Sequence, residues 1–145
     1  MAKILVAGGV DEDGEGGKSR AQFAEALDRT IVRRGHILLG GCRTQLDAID
    51  AFLVRRVRGG RERRRSRIFS HIKSSAFVIA ELSAAKPNVY YEIGFARALG
   101  KAVIHTAKEG TPLPFDVFDV PTLFYDGQTS LATKLDDAIS RLFNP

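Results

Sequence analysis

Short apolar runs alternate along the chain with segments in which apolar residues recur at helical spacing. The runs have the length and continuous apolar character of buried parallel strands: KILVA (Lys3–Ala7), HILL (His36–Leu39), AFVIA (Ala76–Ala80), AVIHT (Ala102–Thr106) and the shorter Thr122–Tyr125. The segments between and after them predict helices at about Ser19–Arg34, Thr44–Arg56, Arg64–Lys73, Asn88–Leu99 and Ser130–Phe143. This alternation predicts one α/β domain over residues 1–145. We expect a flavodoxin/Rossmann-like five-stranded parallel sheet, in the order 2-1-3-4-5, with helices on both faces.

The first two strands each run into a pair of glycines, Gly8-Gly9 and Gly40-Gly41. In a parallel sheet the carboxyl ends of the strands lie at one edge, so both pairs are expected there. Glycine lets the backbone approach a phosphate or a sugar closely, and we predict that these four residues contact the substrate. The alternative is that turns after strands favour glycine anyway, since neither pair completes a Walker or GxGxxG pattern.

The composition excludes several classes of protein. At 145 residues, with 44% hydrophobic and 27% charged residues, the chain resembles a soluble globular domain. No apolar run approaches the roughly 18 residues that span a bilayer, and the N-terminal run is interpreted as a strand, not a signal peptide. One cysteine, Cys42, and three scattered histidines give no metal-ligand spacing. We therefore expect a cytoplasmic protein with no metal and no organic cofactor.

The net charge of +5 is concentrated in one segment. Eight arginines and one glutamate lie between Arg55 and Arg67, a local charge of +7, which leaves the rest of the chain at 5 − 7 = −2. Guanidinium groups pair with phosphate, and we name Arg63, Arg64, Arg65 and Lys86 as candidate phosphate contacts. A solvated surface loop is an equal alternative. Binding of nucleic acid is not expected, because no aromatic residue is interleaved to stack on bases.

The most informative stretch is Ala80–Lys101, AELSAAKPNVYYEIGFARALGK. If Asn88 caps the helix, Glu92 lies at the end of the first turn, where the helix dipole favours the ionised form. A fixed carboxylate beside glycine loops suits attack on a sugar carbon. The alternative is that a glutamate near a helix start is only mildly stabilising. Asn88, Tyr90 and Tyr91 are predicted to contact substrate, although tyrosines at a rim more often pack.

These residues resemble a known superfamily. PNVYYEIGFARALGK, with FVIAEL before it, is similar to the nucleoside 2-deoxyribosyltransferases and their nucleotide N-hydrolase relatives. The resemblance implies that Glu92 is the catalytic glutamate, followed by Gly94 and the small residue Ala96. KILVAGG and RRGHILLGGCRTQLDA also resemble the nucleotide-binding SLOG-type domains. Together the two resemblances cover roughly Lys3 to Thr106.

The resemblance implies a double displacement on a nucleoside or nucleotide, in a homodimer or larger homo-oligomer. The glutamate attacks the sugar C1′, the base leaves, and water or another base resolves the glycosyl-enzyme. A second carboxylate usually lies on the helix before the third strand, where this chain has RSRIFSHIKSS and no acid. Asp11, Glu12, Asp13 and Glu81 are possible substitutes. The alternative function is a non-catalytic nucleotide-binding or sensor module of SLOG or TIR-like type.

Overall fold

The structure is a computed structural model, and it describes residues 2–8, 23, 25–32, 35–40 and 64–143. Its strands are β1 (Lys3–Gly8), β2 (Ile37–Gly40), β3 (Phe77–Glu81), β4 (Ala102–Lys108) and β5 (Thr122–Tyr125). They form one sheet in the order β2-β1-β3-β4-β5, and every neighbouring pair is parallel. The α/β class with a parallel sheet is therefore confirmed.

Five helical segments lie between and after these strands. They are the π-helical turn α1 (Asp28–Val32), α2 (Arg64–Ser74), α3 (Pro87–Ala98), the single turn α4 (Phe115–Phe118) and α5 (Gln128–Phe143). Short α-helical stretches at Phe23 and at residues 25–27 precede α1. The turn α4 was not predicted, because it falls in a proline-rich loop. The predicted helix over Thr44–Arg56 lies outside the described residues.

Two apolar clusters cover the two faces of the sheet, because successive strand side chains point to opposite sides. The cluster under α1 and α5 contains Ile4, Val6, Phe23, Ala26, Leu27, Ile31, Phe77, Ile79, Tyr125, Leu131, Leu135 and Ile139. The cluster under α2 and α3 contains Leu5, Ala7, Ile72, Val78, Ala80, Leu82, Val89, Ile93, Ala96, Ala107 and Val117. Each large aliphatic side chain buried in this way stabilises the fold by roughly 1.5–3 kcal/mol. The described helices thus pack on both faces, as a three-layer arrangement requires.

Gly8 closes the carboxyl end of β1 against β3. Its φ is +99°, and a Cβ there would lie 2.4 Å from the carbonyl oxygen of Glu81, its partner in register. No side chain fits in that space, so Gly8 is required by the packing of two backbones. Whether it also contacts a substrate stays a prediction.

The substitution Gly8→Ala is expected to destabilise the protein more than Gly35→Ala. Both glycines have positive φ, +99° and +76°, but a Cβ at Gly35 would meet nothing within 4 Å. Gly35→Ala should cost about 1 kcal/mol of unfolding free energy from backbone strain, whereas Gly8→Ala adds a backbone clash and should cost about 3 kcal/mol or more. Urea unfolding of both variants measures the difference. Equal losses would show that the gap at Gly8 closes without cost.

Candidate active site

Glu92 lies on the face of α3 that packs against the sheet. The buried residues of this helix are Val89, Glu92, Ile93 and Ala96, which recur at the spacing of one helical stripe. The Glu92 side chain is only 4% exposed, although its neighbours in the stripe are apolar. A carboxylate in such a stripe opposes the packing of the helix, and this kind of local conflict is typical of a functional position.

The carboxyl group of Glu92 is poorly satisfied. Its Oε2 atom is buried and has no hydrogen-bond partner among the residues that the structure describes. Burial raises the pKa of Glu92 from 4.5 to about 7, and a hydrogen bond from the Asn88 side chain offsets only part of this rise. Near neutral pH the group is therefore present in both its acid and its ionised form.

The predicted cap and its effect on Glu92 were wrong. The helix α3 begins at Pro87, with Lys86 as the N-cap residue and no side-chain cap hydrogen bond. Pro favours the first helical position, since its missing N–H is not needed there. Glu92 therefore lies in the second turn instead of at the end of the first. Desolvation outweighs the helix dipole, and the ionised form is disfavoured where the sequence predicted that it would be favoured.

The three residues predicted beside Glu92 occupy different environments. Asn88 is exposed at the start of α3, and its side chain donates a hydrogen bond to Glu92, which lies one turn further along the helix. Tyr90 is half-buried, its hydroxyl has no partner among the described residues, and burial raises the pKa of Tyr90. Tyr91 is 68% exposed, with its ring 5.9 Å from that of Phe69. Contact with a substrate stays a prediction for all three.

Only some of the other residues predicted to contact a substrate lie within the described part of the chain. Gly40 is the last residue of β2 and pairs with Val6, which places it at the same sheet edge as Gly8. Arg64 and Arg65 begin α2, and Lys86 directly precedes α3. Gly9, Gly41 and Arg63 lie outside the described residues, as do Asp11, Glu12 and Asp13.

A buried polar cluster at the carboxyl ends of β3, β4 and β5 was not predicted as a unit. Glu81, 1% exposed, is the last residue of β3. Its Oε1 accepts hydrogen bonds from the backbone N–H of Ser83, at 3.0 Å, and from the Ser83 hydroxyl. Thr106 Oγ1 lies 2.7 Å from Glu81 Oε2, and burial raises the pKa of the neighbouring Tyr125. The cluster thus joins three strands at the carboxyl edge of the sheet.

Glu81 does not resemble a free second carboxylate. Its two oxygens are engaged with Ser83 and Thr106, and almost none of the side chain is exposed. The helix α2, which precedes β3, contains no Asp or Glu. The sequence named Glu81 as a possible second carboxylate, but its position directly at the end of the apolar run FVIAE, which predicts burial, was not used.

A surface pocket of about 660 Å³ lies beside the chain segment from β4 to β5. Its lining consists of Thr111, Pro112, Leu113, Phe118, Asp119, Val120, Pro121, Thr122 and Phe124. Of the three phenylalanines in this part of the chain, Phe118 and Phe124 therefore line the pocket, while Phe115 does not. Neither Glu92 nor Glu81 lines this pocket, so it is separate from the candidate active site.

Neither a metal-binding group of side chains nor a membrane-spanning helix occurs among the described residues. No group of three or more His, Cys, Asp and Glu side chains among them is arranged to hold a metal ion. Within the same residues, every helix is too short or too polar to cross a membrane.

The comparisons with known proteins bear on the fold. No protein-family model and no curated protein sequence matches the chain. The CMP N-glycosidase of Clostridium botulinum is similar in structure, with a TM-score of 0.63 at 17% identity over 94% of this chain and 98% of that chain. The 2-deoxyribosyltransferase of Bacillus psychrosaccharolyticus is similar with a TM-score of 0.57 at 17% identity, over 92% and 96% of the two chains. That of Leishmania mexicana gives 0.50 at 19% identity, over 88% and 77%.

At these identities the similarity concerns the fold, and it extends over almost the whole of the chain. Both kinds of enzyme were implied by the residues around Glu92, and the resemblance is confirmed at this level. The chain therefore has the fold that the CMP N-glycosidase and the 2-deoxyribosyltransferases share.

Proposed function

We propose that the protein cleaves the N-glycosidic bond of a nucleoside or nucleotide, with Glu92 as the nucleophile. The observation that carries the proposal is the state of Glu92: buried in an apolar stripe, with a pKa of about 7 and one oxygen without a partner among the described residues. The fold is shared with proteins named as a CMP N-glycosidase and 2-deoxyribosyltransferases, which supports the same class of bond.

The reaction that we propose has two steps. A Glu92 carboxylate oxygen attacks C1′ of the sugar, the bond from C1′ to the base nitrogen breaks, and the base leaves with the bond's electron pair and takes up a proton. Water, or a second base, then attacks C1′ and releases Glu92 as a carboxylate. A carboxylate without solvating partners is a strong nucleophile, so the poor satisfaction of Glu92 favours the first step.

We further propose that the predicted neighbours of Glu92 bind the sugar and the phosphate. Asn88, Tyr90 and Tyr91 lie within one turn of Glu92 on α3, and Gly8 and Gly40 share the carboxyl edge of the sheet. Lys86 and the arginines of α2 are the candidates for a phosphate. A homodimer or larger assembly and a cytoplasmic location remain parts of this proposal.

Release of base by the native chain, and its loss in Glu92→Gln, is the expected result. Nucleosides, 5′-deoxynucleotides, ribonucleotides and NAD are incubated with each protein, and free base is quantified by chromatography. Glutamine keeps the size of the side chain but is not a nucleophile, so we expect a loss of about 10³-fold or more. For the native chain, base release should rise as the pH passes through about 7, where Glu92 ionises.

The control is Glu109→Gln, which makes the same chemical change at an exposed residue after β4 and should leave base release unchanged. A non-catalytic nucleotide-binding module is the second candidate, and the absence of any acid on α2 favours it. In that case no protein releases base, while one of the nucleotides raises the melting temperature of the native chain and of Glu92→Gln alike.

A further inference from the structure

We propose that Glu81 is a positioning residue, held as a neutral carboxylic acid, that fastens the turn after β3 to β4 and thereby fixes the start of the helix carrying Glu92. The effect on catalysis rests on the proposed function. The effect on the titration of Glu92 does not rest on that function, because it depends only on how the protein holds the two carboxyl groups.

The directions of the hydrogen bonds agree with a neutral acid. Ser83 Oγ accepts the backbone N–H of Lys108 at 2.8 Å, so its own proton is directed to Glu81 Oε1, which also accepts the N–H of Ser83. Both lone-pair directions of Oε1 are then used, as in a carbonyl oxygen.

The other oxygen faces a hydroxyl that has a second acceptor. Thr106 Oγ1 lies 2.7 Å from Glu81 Oε2 and 3.2 Å from the backbone oxygen of Ala80, and it has one proton for the two. If Oε2 carries a proton, it donates to Thr106 Oγ1, which donates in turn to Ala80, and every group is satisfied. If Glu81 is ionised, Thr106 Oγ1 donates its proton to Oε2 and loses its hydrogen bond to the backbone oxygen of Ala80.

Within the part of the chain that the structure describes, no cation acts on the pKa of Glu81. The groups that act on the pKa of Glu81 are the hydroxyls of Ser83, Thr106 and Tyr125 and the N–H of Ser83, and none of these is a cation. Burial raises the pKa of Glu81 against the lowering effect of those donors. The backbone of β1 packs closely against Glu81, since a Cβ at Gly8 would lie 2.4 Å from the Glu81 carbonyl oxygen. A buried carboxyl without a cation is more stable in its neutral form.

The same contacts hold the turn to β4. The backbone N–H of Leu82 donates to the oxygen of Thr106 at 2.9 Å, and Ser83 joins Glu81 to Lys108. Leu82 is buried in the cluster that contains Val89 and Ile93 of α3. Only residues 83–86 separate this anchored point from the first residue of α3, so the position of Glu92 depends on it.

The test compares Glu81→Gln with Glu81→Leu by carboxyl ¹³C NMR of glutamate-labelled protein. Glutamine presents an oxygen to Ser83 and an NH₂ donor to Thr106, which reproduces the neutral acid, whereas leucine offers neither. In the native chain the Glu81 signal, identified by its loss in Glu81→Gln, should be that of the acid at neutral pH. Glu92 should titrate near 7 in Glu81→Gln and closer to 4.5 in Glu81→Leu, where a loosened helix admits water.

Catalysis gives a separate result. Where base is released, Glu81→Gln should retain kcat, and Glu81→Leu should lose about 10- to 100-fold in kcat with a smaller change in KM. A role in stability alone would lower the melting temperature of Glu81→Leu without moving the Glu92 titration. If Glu81→Leu does not fold, Thr106→Val takes its place, because it removes one hydroxyl at nearly constant size and should also shift the titration of Glu92. Thr106→Ser keeps the hydroxyl and should restore the native titration of Glu92.

Three results would overturn the proposal. The first is an ionised Glu81 signal at neutral pH. The second is a titration midpoint of Glu92 that shifts equally in Glu81→Gln and Glu81→Leu. The third is a titration midpoint of Glu92 that shifts in none of the variants. If no protein releases base but Glu92 titrates as expected, the proposed function fails while the role of Glu81 stands.

Discussion

At about pH 8, Glu92→Gln is expected to be more stable than the native chain. Burial raises the pKa of Glu92 from 4.5 to about 7, so the folded protein binds a proton there more tightly than the unfolded chain does. For such a group stability is full below pH 4.5 and falls as the pH rises to about 7, because the unfolded chain releases the proton over this range while the folded protein retains it. Glutamine is uncharged at every pH and escapes this loss.

The size of the effect follows from the shift. Each pKa unit corresponds to about 1.4 kcal/mol, and with an allowance for solvent we expect Glu92→Gln to gain about 1–3 kcal/mol of unfolding free energy at about pH 8. In a domain of this size, that raises the melting temperature by roughly 3–9 °C. At about pH 4.5 the two proteins should melt at nearly the same temperature, since both side chains are then largely neutral.

Differential scanning fluorimetry over a series of buffers measures this, with Glu109→Gln as the control. Glu109 is exposed, so its substitution should leave the melting temperature nearly unchanged at every pH. A Glu92→Gln variant that is less stable than the native chain at about pH 8 would show that the carboxylate is well solvated or paired. That outcome would also remove the main support for its role as a nucleophile.

A gain in stability upon loss of the proposed nucleophile is expected on general grounds. A functional group that is kept poorly solvated destabilises the fold that carries it. The apolar stripe of α3 tolerates Glu92 because Val89, Ile93 and Ala96 supply the packing around it. The conflict is visible in the sequence, where a glutamate occupies one position of an apolar helical repeat.

The sheet could be predicted because each strand is a short apolar run between polar or glycine-containing segments. The observed strands differ from the predicted ones by one or two residues at their ends: β1 extends to Gly8, and β4 extends to Lys108. Strand ends depend on hydrogen bonds to neighbours, which the chain's own pattern does not contain. The first helix was also located through its buried residues, since Phe23, Ala26, Leu27 and Ile31 all lie in the core.

The site was harder to predict because its properties depend on contacts between distant parts of the chain. Glu92 was selected from the sequence as the candidate catalytic residue on the helix after β3, but its ionisation was inferred from a local effect, the helix dipole. Desolvation by the sheet outweighs that effect, and it depends on packing that no local pattern gives. Glu81 was likewise hidden, because its partners Thr106 and Tyr125 lie 25 and more residues further along the chain.

His105 is a basic group whose pKa, like that of Glu92, depends on burial that the local sequence does not show. The apolar run AVIHT places it in a strand, and it lies fully inside the core, with 0% of its surface exposed. Neither ring nitrogen has a hydrogen-bond partner among the described residues. Burial, with a smaller contribution from Arg97, lowers the pKa of His105 from 6.5 to about 4. A histidine of this kind stays neutral in the folded protein at neutral pH.

His105→Phe is therefore expected to stabilise the protein most strongly in acid. The unfolded chain takes up a proton at His105 below pH 6.5, whereas the folded protein does so only near pH 4, so the native chain loses stability as the pH falls through this range. Phenylalanine has a similar shape and no proton to bind, and it removes two unsatisfied nitrogens. We expect a gain of about 1–3 kcal/mol at about pH 4.5 and a smaller gain at about pH 8.

The slope of this effect is opposite to that of Glu92→Gln, which gives the two variants a common test. In the native chain the two groups act in opposite directions between about pH 4.5 and about pH 6.5, and their contributions largely cancel. His105→Phe should expose the loss of stability with rising pH that is due to Glu92, and Glu92→Gln should expose the loss with falling pH that is due to His105. Urea unfolding of both variants and of the double variant at several pH values measures these slopes. The contradicting outcome is a free energy of unfolding of His105→Phe that differs from that of the native chain by the same amount at every pH. His105 would then be protonated to the same extent in the folded and unfolded protein, which means that its ring has a partner that stabilises the charged form.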